Sequence, residues 1–259
     1  MSGTTRSGKI LDVQGVSVSF DGFTVLSDMN FSINYGELRF LIGPNGAGKT
    51  TLLDIITGKT KPSSGRVLFD GQDLRRMSEH RIVGMGIGRK FQTPSIFSTL
   101  TVWENLEQAI SADEPSFSLL GRASGDKQAK LERMLKTIGL EADRNRQAGS
   151  LSHGQKQWLE IGMLVVQDPK LLLLDEPVAG MTRRERTRTG QLVQELAKQT
   201  SVLVVEHDME FVREFSNTVT VLHMGRVLTE GTMDMVQNDP EVIEVYLGRS
   251  RAKPEAAAV

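Results

Sequence analysis

The sequence predicts an α/β fold with a mainly parallel sheet, assembled around one glycine-rich phosphate loop. Three observations carry this. Gly43, Pro44, Asn45, Gly46, Ala47, Gly48, Lys49, Thr50 and Thr51 fit G-x-x-x-x-G-K-[ST], between an apolar run at Leu38–Ile42 and a helix-like run from Thr51 to Ile56. Two more short apolar runs, Leu171–Leu174 and Ser201–Val205, suit strands buried on both faces. Helix-patterned segments separate these runs, as crossover helices separate parallel strands.

In chain order, residues 1–9 read as a loose polar start. Ile10–Phe20 and Phe23–Ile33 are strand-like around the Asp21-Gly22 turn, so the chain opens with an antiparallel addition to the core. The phosphate-loop helix is followed by a loop at Lys59–Gly65, a short strand at Arg66–Phe69 and a short helix at Ser78–Met85. Gly86–Phe91 is read only as a lead into Gln92, before Pro94. Thr101–Ile110 is helical, with Val102, Leu106 and Ile110 on one face. Ser111–Gly125 is read as loop from its Ser, Gly, Asp and Pro content.

Lys127–Ile138 is an amphipathic helix burying Leu131, Met134, Leu135 and Ile138, its lysines and arginines forming a solvated face. A further helix runs from Gln155 to Val166, with Trp158, Ile161, Leu164 and Val165 as its buried side. Helices are also expected at Thr182–Lys198 and Asp208–Phe215, and a strand at Val219–His223 with a turn into Val227. A last helix starts at Asp239-Pro240 and closes at Gly248, leaving a tail at 249–259. The helical middle, about 93–165, reads as a second addition to the core.

Composition narrows the function. The 259 residues allow one large domain or two lobes of one. A net charge of −1 gives no basic excess for nucleic acid. With no cysteine there is no disulfide, thiolate metal site or cysteine nucleophile, which fits a reducing compartment. No apolar leader and no run near 18 apolar residues is present, so a membrane would be reached through a partner.

The phosphate loop assigns chemistry directly. Glycines let successive N–H groups aim at phosphate oxygens, and the following helix adds a favourable field. Lys49 can reach the β- and γ-phosphates, and Thr50 can offer its hydroxyl to Mg²⁺. Asp175 and Glu176 end the leucine run, at the ligand edge of an open α/β sheet. Asp175 suits Mg²⁺ through water; Glu176 suits orienting or deprotonating an attacking water. Ser152 and Gln155 fit S-x-x-Q, a capping box, but a helix N-terminus with a hydroxyl and the Gly154 N–H is also a phosphate receptor. The residues alone leave these two readings open.

Taken together, Gly43–Thr50, Gln92, Leu151–Gln155, Leu171–Glu176 and His207, in this order and spacing, resemble the ATP-binding cassette of ABC transporters over about residues 10–248. The resemblance implies a P-loop NTPase core with an N-terminal antiparallel β subdomain and a helical subdomain. It implies that ATP is bound with Phe20 stacked on adenine and that Gln92 senses the γ-phosphate and Mg²⁺. It also implies that Ser152 and Gly154 contact ATP held by an opposite subunit, that Glu176 is the catalytic base, and that His207 is the switch at the γ-phosphate.

Two positions depart from the family pattern. His153 stands where glycine is usual, as either a further phosphate donor or a residue without a role. Thr182 stands where an aspartate often crosses the dimer interface, which puts coupling through that loop in question.

Within the family, Gly88–Phe97, Gln155–Glu160, Glu176–Met181 and Val245–Gly248 are similar to the branch serving branched-chain amino acid importers, most of all to urea importer cassettes. The implied partners are a second cassette, two transmembrane permeases and a periplasmic or extracellular solute-binding protein, with the chain on the cytoplasmic face of the membrane. The permease groove is expected near Gln92–Leu106, with Phe97 and Trp103 either lining it or packing in the core. The competing functions are the same role for branched-chain amino acids, a soluble ATP-driven switch on DNA or ribosomes, and a cassette that binds without hydrolysis. The last is opposed by Lys49, Asp175, Glu176 and His207 all being in place.

Overall fold

Two sheets, lying against opposite ends of the same set of apolar side chains, organise the chain. A computed structural model describes residues 8–90, 95–111 and 123–251. The first sheet is antiparallel, in the order β2 (Phe23–Asn34), β1 (Lys9–Phe20), β4 (Ser64–Phe69), β5 (Gln72–Asp73). The second runs β10 (Arg226–Gly231), β9 (Thr218–His223), β3 (Leu38–Ile42), β8 (Ser201–Val205), β7 (Leu171–Asp175), β6 (Ile87–Lys90). All its pairs are parallel except β9 with β10.

Successive side chains of the second sheet point to opposite faces. On β7, Leu172 and Leu174 enter a core with the helices, while Leu171 and Leu173 enter a core shared with the first sheet. The helical core takes α3 (Val102–Ser111), α4 (Ala123–Ile138), α5 (His153–Val165), α6 (Arg183–Ala197) and α7 (Met209–Phe215). The other core takes α1 (Lys49–Ile56), through Leu52, Leu53, Ile55 and Ile56. The phosphate-loop helix and the helix that starts after Ser152 therefore lie on opposite faces of one sheet.

Several expectations need correction. The lead into Gln92 is a strand, β6, whose two basic residues conceal it in the sequence. They tolerate burial because each meets a carboxylate: Arg89 reaches Asp54 at 2.5 Å, and Lys90 lies 3.8 Å from Glu160. The buried side of α5 carries Gln157, Leu159, Glu160 and Ile161, while Trp158, Leu164 and Val165 are half-buried. This helix packs on α3 and α4 as well as β6, so it has no single apolar stripe.

Helix α4 begins at Ala123, inside the stretch read as loop, and α9 (Pro240–Arg251) continues past Gly248. Two short helices complete the fold. One is α2 (Glu79–Gly84), capped by Ser78. The other is α8 (Met233–Gln237), capped by Thr232 and absent from the sequence reading. Trp103 packs on the helical core with the Arg144 guanidinium 3.7 Å over its ring, whereas Phe97 is exposed.

Candidate active site

The loop between β3 and α1 holds its shape through two glycines with no room for a side chain. Gly43 has φ 152°, and a Cβ there would lie 2.2 Å from the Leu222 carbonyl oxygen on β9. Gly48 has φ 104° and would press a Cβ to 2.5 Å from Leu26 Cδ2. The loop is fixed from the other side by the Gly225 amide, which donates to Ala47 O at 3.0 Å. Gly48 caps α1 without a side chain, so the first-turn amides of α1 remain open to an anion. Lys49 Nζ donates to the Gly43 and Pro44 carbonyls, at 2.6 and 3.0 Å. Burial lowers its pKa, while the nearby Glu176 and Asp175 carboxylates oppose that shift. The ammonium is thus held inside the loop, where phosphate oxygens can replace the carbonyls.

At the carboxyl end of β7, Asp175 is only 3% exposed. Burial raises its pKa, opposed first by Arg89, whose Nη2 lies 3.7 Å away, while Glu176 raises it further. Glu176 follows in the left-handed region at φ 47°, its amide donating to Val205 O at 2.9 Å. That turn presents its carboxylate beside His207, with Oε1 3.4 Å from Nδ1.

Sequence reasoning missed Glu206, which organises this corner. It accepts from the amides of Val178 at 3.2 Å, His207 at 3.1 Å and Asp208 at 3.4 Å, and burial raises its pKa. The signal was available: Glu206 is the acidic residue directly after the buried strand β8, much as Asp175 closes β7.

These elements bring Asn45, Gly46, Ala47, Gly48, Lys49, Thr50, Thr51, Asp175 and Glu176 around one hollow of about 280 Å³. His207 lines an adjoining hollow with Val178–Met181 and Glu206. Gly46, at φ 80° with nothing within 4 Å of an added Cβ, leaves the mouth of the loop open. The donor set suits a nucleotide with Mg²⁺: a hydroxyl and a carboxylate are hard oxygen ligands. Among the described residues no group of three or more His, Asp or Glu could hold a metal unaided. An ion here would draw the rest of its ligands from phosphate and water.

Phe20 does not line the hollow. It sits 49% exposed at the end of β1, facing Phe23 across the hairpin turn. Gln92 lies outside the described residues.

Ser152, Gly154 and Gln155 are not at this hollow either. Ser152 caps α5, accepting from the Gln155 amide at 3.2 Å, while its own amide donates to Gln155 Oε1 at 3.0 Å. The capping box is therefore made. Ser152 Oγ also donates to Glu185 Oε1 at 3.2 Å, and a Cβ on Gly154 would lie 2.5 Å from the same oxygen. Glu185, another residue the sequence reading passed over, in turn accepts from the amide and hydroxyl of Thr182, which caps α6. Thr182 thus serves its own chain, and His153 turns towards Ala179 of its own chain.

Comparison with known proteins agrees with this geometry. The ABC transporter family model matches residues 26–179, and the branched-chain amino acid ATP-binding cassette transporter model matches 226–252. The chain is 36% identical over 254 residues to the high-affinity branched-chain amino acid transport ATP-binding protein LivG of Escherichia coli, covering 94% of this chain and all of that one. BraF of Pseudomonas aeruginosa, described in the same words, is 32% identical over the same share of both chains. Among solved structures, an ATP-binding cassette of an ABC transporter in its ADP conformation superposes with a TM-score of 0.80 at 32% identity, over 93% of this chain and 99% of that one. A dimeric post-hydrolysis cassette bound to ADP and phosphate gives 0.73 at 25% identity, over 86% of this chain and 98% of that one. Glycine loop, paired carboxylates and relatives converge, and the chain belongs to the ABC transporter family as an ATP-binding cassette.

Proposed function

We propose that this cassette is the ATP-hydrolysing subunit of an importer and works as a head-to-tail pair. Each ATP would lie between Gly43–Thr51 of one chain and Ser152–Gln155 of the other. The reading rests above all on one observation: Glu176 Oε1 stands 3.4 Å from His207 Nδ1, at the edge of the hollow that holds Lys49 and Asp175. A carboxylate so placed can take a proton from water, and the imidazole can hold the carboxylate in position. Lys49 and the α1 amides stabilise phosphate charge, so positioning and electrostatics supply most of the catalysis. Mg²⁺, held by Thr50 and Asp175 with Gln92 as a further ligand, would neutralise phosphate charge. Phe20 supplies an exposed ring for adenine.

The proposed cargo is a branched-chain amino acid, a small zwitterion with an apolar side chain. The resemblance of single segments points to urea, whereas the relatives named above and the match at 226–252 favour branched-chain amino acids, and that is the reading adopted. No helix among the described residues is long and apolar enough to cross a membrane, so two permeases would hold the chain at the cytoplasmic face, with a solute-binding protein outside. On the permease side, exposed Phe97, within the stretch Gln92–Leu106, suits contact with a docking helix.

The test is Glu176→Gln in the assembled transporter. The variant should bind ATP and pair while turnover falls by about 10²–10⁴-fold, the usual worth of a general base. Wild-type turnover would remove Glu176 from that role. Uptake of labelled leucine and of labelled urea in cells lacking this chain separates the cargoes; loss of urea uptake alone would overturn the amino acid reading.

A further inference from the structure

His153 departs from the family pattern, and the structure gives it a contact that the sequence could not show. The residue is the first of α5, directly after Ser152. Its Nε2 lies 3.1 Å from the Ala179 carbonyl oxygen, and its ring covers Gly180, where an added Cβ would lie 3.5 Å from Nε2. The amide of the same Ala179 donates to the Glu176 carbonyl at 3.2 Å. One peptide unit on either side of Ala179 therefore joins the start of α5 to the backbone of Glu176.

Glu176 is the residue with most to gain from an external hold. It sits at φ 47°, where side-chain-bearing residues are strained. A carbonyl only accepts, so the contact with Ala179 needs the proton on Nε2. Gln157, almost wholly buried, lies 3.2 Å from the same nitrogen and can offer its amide oxygen to that proton after a half-turn of the amide. The second tie runs beside the first: Ser152 Oγ to Glu185 Oε1, with Glu185 Oε2 on Thr182. The loop from Val178 to Met181 is thereby bracketed between the starts of α5 and α6.

We propose that His153 is a positioning residue that makes this loop and the start of α5 move as one body. The inference rests on the proposed head-to-tail pairing. There, Ser152 and Gly154 engage the partner's nucleotide, so His153 would convey that engagement to Glu176 of its own chain. The two sites of a pair would then hydrolyse cooperatively, with coupling carried inside each chain rather than by an aspartate at position 182.

The experiment compares the wild-type full chain with His153→Phe, which keeps a ring on Gly180 but has no donor, and His153→Gln, whose side-chain amide can donate at similar reach. The wild type should hydrolyse ATP cooperatively. His153→Phe should lose about three- to tenfold in kcat, the worth of one hydrogen bond, with KM changed less and the Hill coefficient falling towards one. His153→Gln should restore both. Affinity of the unpaired chain for ADP should be the same in all three.

Wild-type kcat and Hill coefficient in His153→Phe would overturn the role of His153 and leave the pairing intact. Absence of any hydrolysis by the wild type would instead overturn the functional reading. Should His153→Phe fail to fold, the ¹⁵N spectrum of the wild-type imidazole decides: a protonated Nε2 is expected, and an unprotonated Nε2 with the proton on Nδ1 overturns the contact.

Discussion

Replacing Gly190 with alanine would drive a methyl group into an aromatic ring. Gly190 lies on α6, and a Cβ there would stand 2.4 Å from Cδ2 and Cε2 of Phe215 and 2.5 Å from its Cγ. Carbon atoms in contact sit about 3.5–4.0 Å apart, so the ring must retreat by about 1 Å or more. The retreat is obstructed: Phe211 packs on Phe215 with centroids 5.1 Å apart, and Phe40 of β3 lies 5.9 Å beyond Phe211. Two effects compete. Glycine to alanine inside a helix gains about 1 kcal/mol of propensity, while overpacking a core costs about 1–3 kcal/mol. Contact with three ring atoms places the clash at the upper end, so we predict a net loss of about 1–2 kcal/mol. For a chain of this size that lowers Tm by roughly 2–8 °C.

The same shift reaches the chemistry, because α7 begins two residues after His207, and moving it separates His207 from Glu176. Thermal and urea unfolding at fixed protein concentration measure the first effect, and ATP turnover well below Tm the second. Adding Phe215→Leu should recover part of the loss. A Gly190→Ala chain that is more stable than wild type by about 1 kcal/mol, as propensity alone requires, would show that Phe215 is not seated on α6.

Three further outcomes are expected. Burial raises the Asp175 pKa, so Asp175 favours folding below the unfolded carboxylate value of about 4 and that contribution is lost as pH rises through the folded value. Asp175→Asn should therefore stabilise the nucleotide-free chain at pH 7, with the gain vanishing below about pH 4 while ATP turnover is lost; a less stable variant at pH 7 contradicts the sign. Gly43→Ala should abolish ATP binding in a calorimetric titration, since its Cβ meets the Leu222 carbonyl at 2.2 Å, and wild-type affinity would mean that the loop parts freely from β9. Phe20→Ala should weaken ATP about 5- to 150-fold if the ring stacks on the base, for which ~1–3 kcal/mol is usual, and an unchanged Kd would exclude it.

What the sequence could and could not show follows from how local each signal is. Gly43–Thr51 is legible because phosphate binding uses consecutive backbone amides, so loop and chemistry share one stretch. Leu171–Leu174 and Ser201–Val205 are legible because strands buried on both faces need unbroken apolar runs. Strand β6 is not: Arg89 and Lys90 look like surface residues until Asp54, Asp175 and Glu160, far along the chain, arrive to meet them. The buried side of α5 is misread for the same reason, since Glu160 and Gln157 are buried against polar partners: Glu160 Oε1 accepts from the Ser95 amide at 3.1 Å. Glu176 and His207 are placed together only by adjacent parallel strands. Glu206 carries a positional signal, an acid directly after a buried strand, but its three partners are backbone amides, which no residue pattern displays. The capping box at Ser152 is legible because it is local, closed within four consecutive residues.

The four leucines of β7 leave that strand with a problem of alignment. Sliding Leu171–Asp175 by one position against β6 and β8 would put leucine back under all but one or two places, so apolar burial alone barely distinguishes the shifted pairings. The ends make the distinction. At one end the Lys170 amide donates to Gly86 O at 2.8 Å, and its ammonium meets Asp70 at 2.7 Å. At the other, Asp175 faces Arg89, and the Glu176 amide takes Val205 O. The residues at the two ends are thus the punctuation by which a nearly featureless strand finds its place: Lys170 through its amide and ammonium, Asp175 through its carboxylate and Glu176 through its backbone amide.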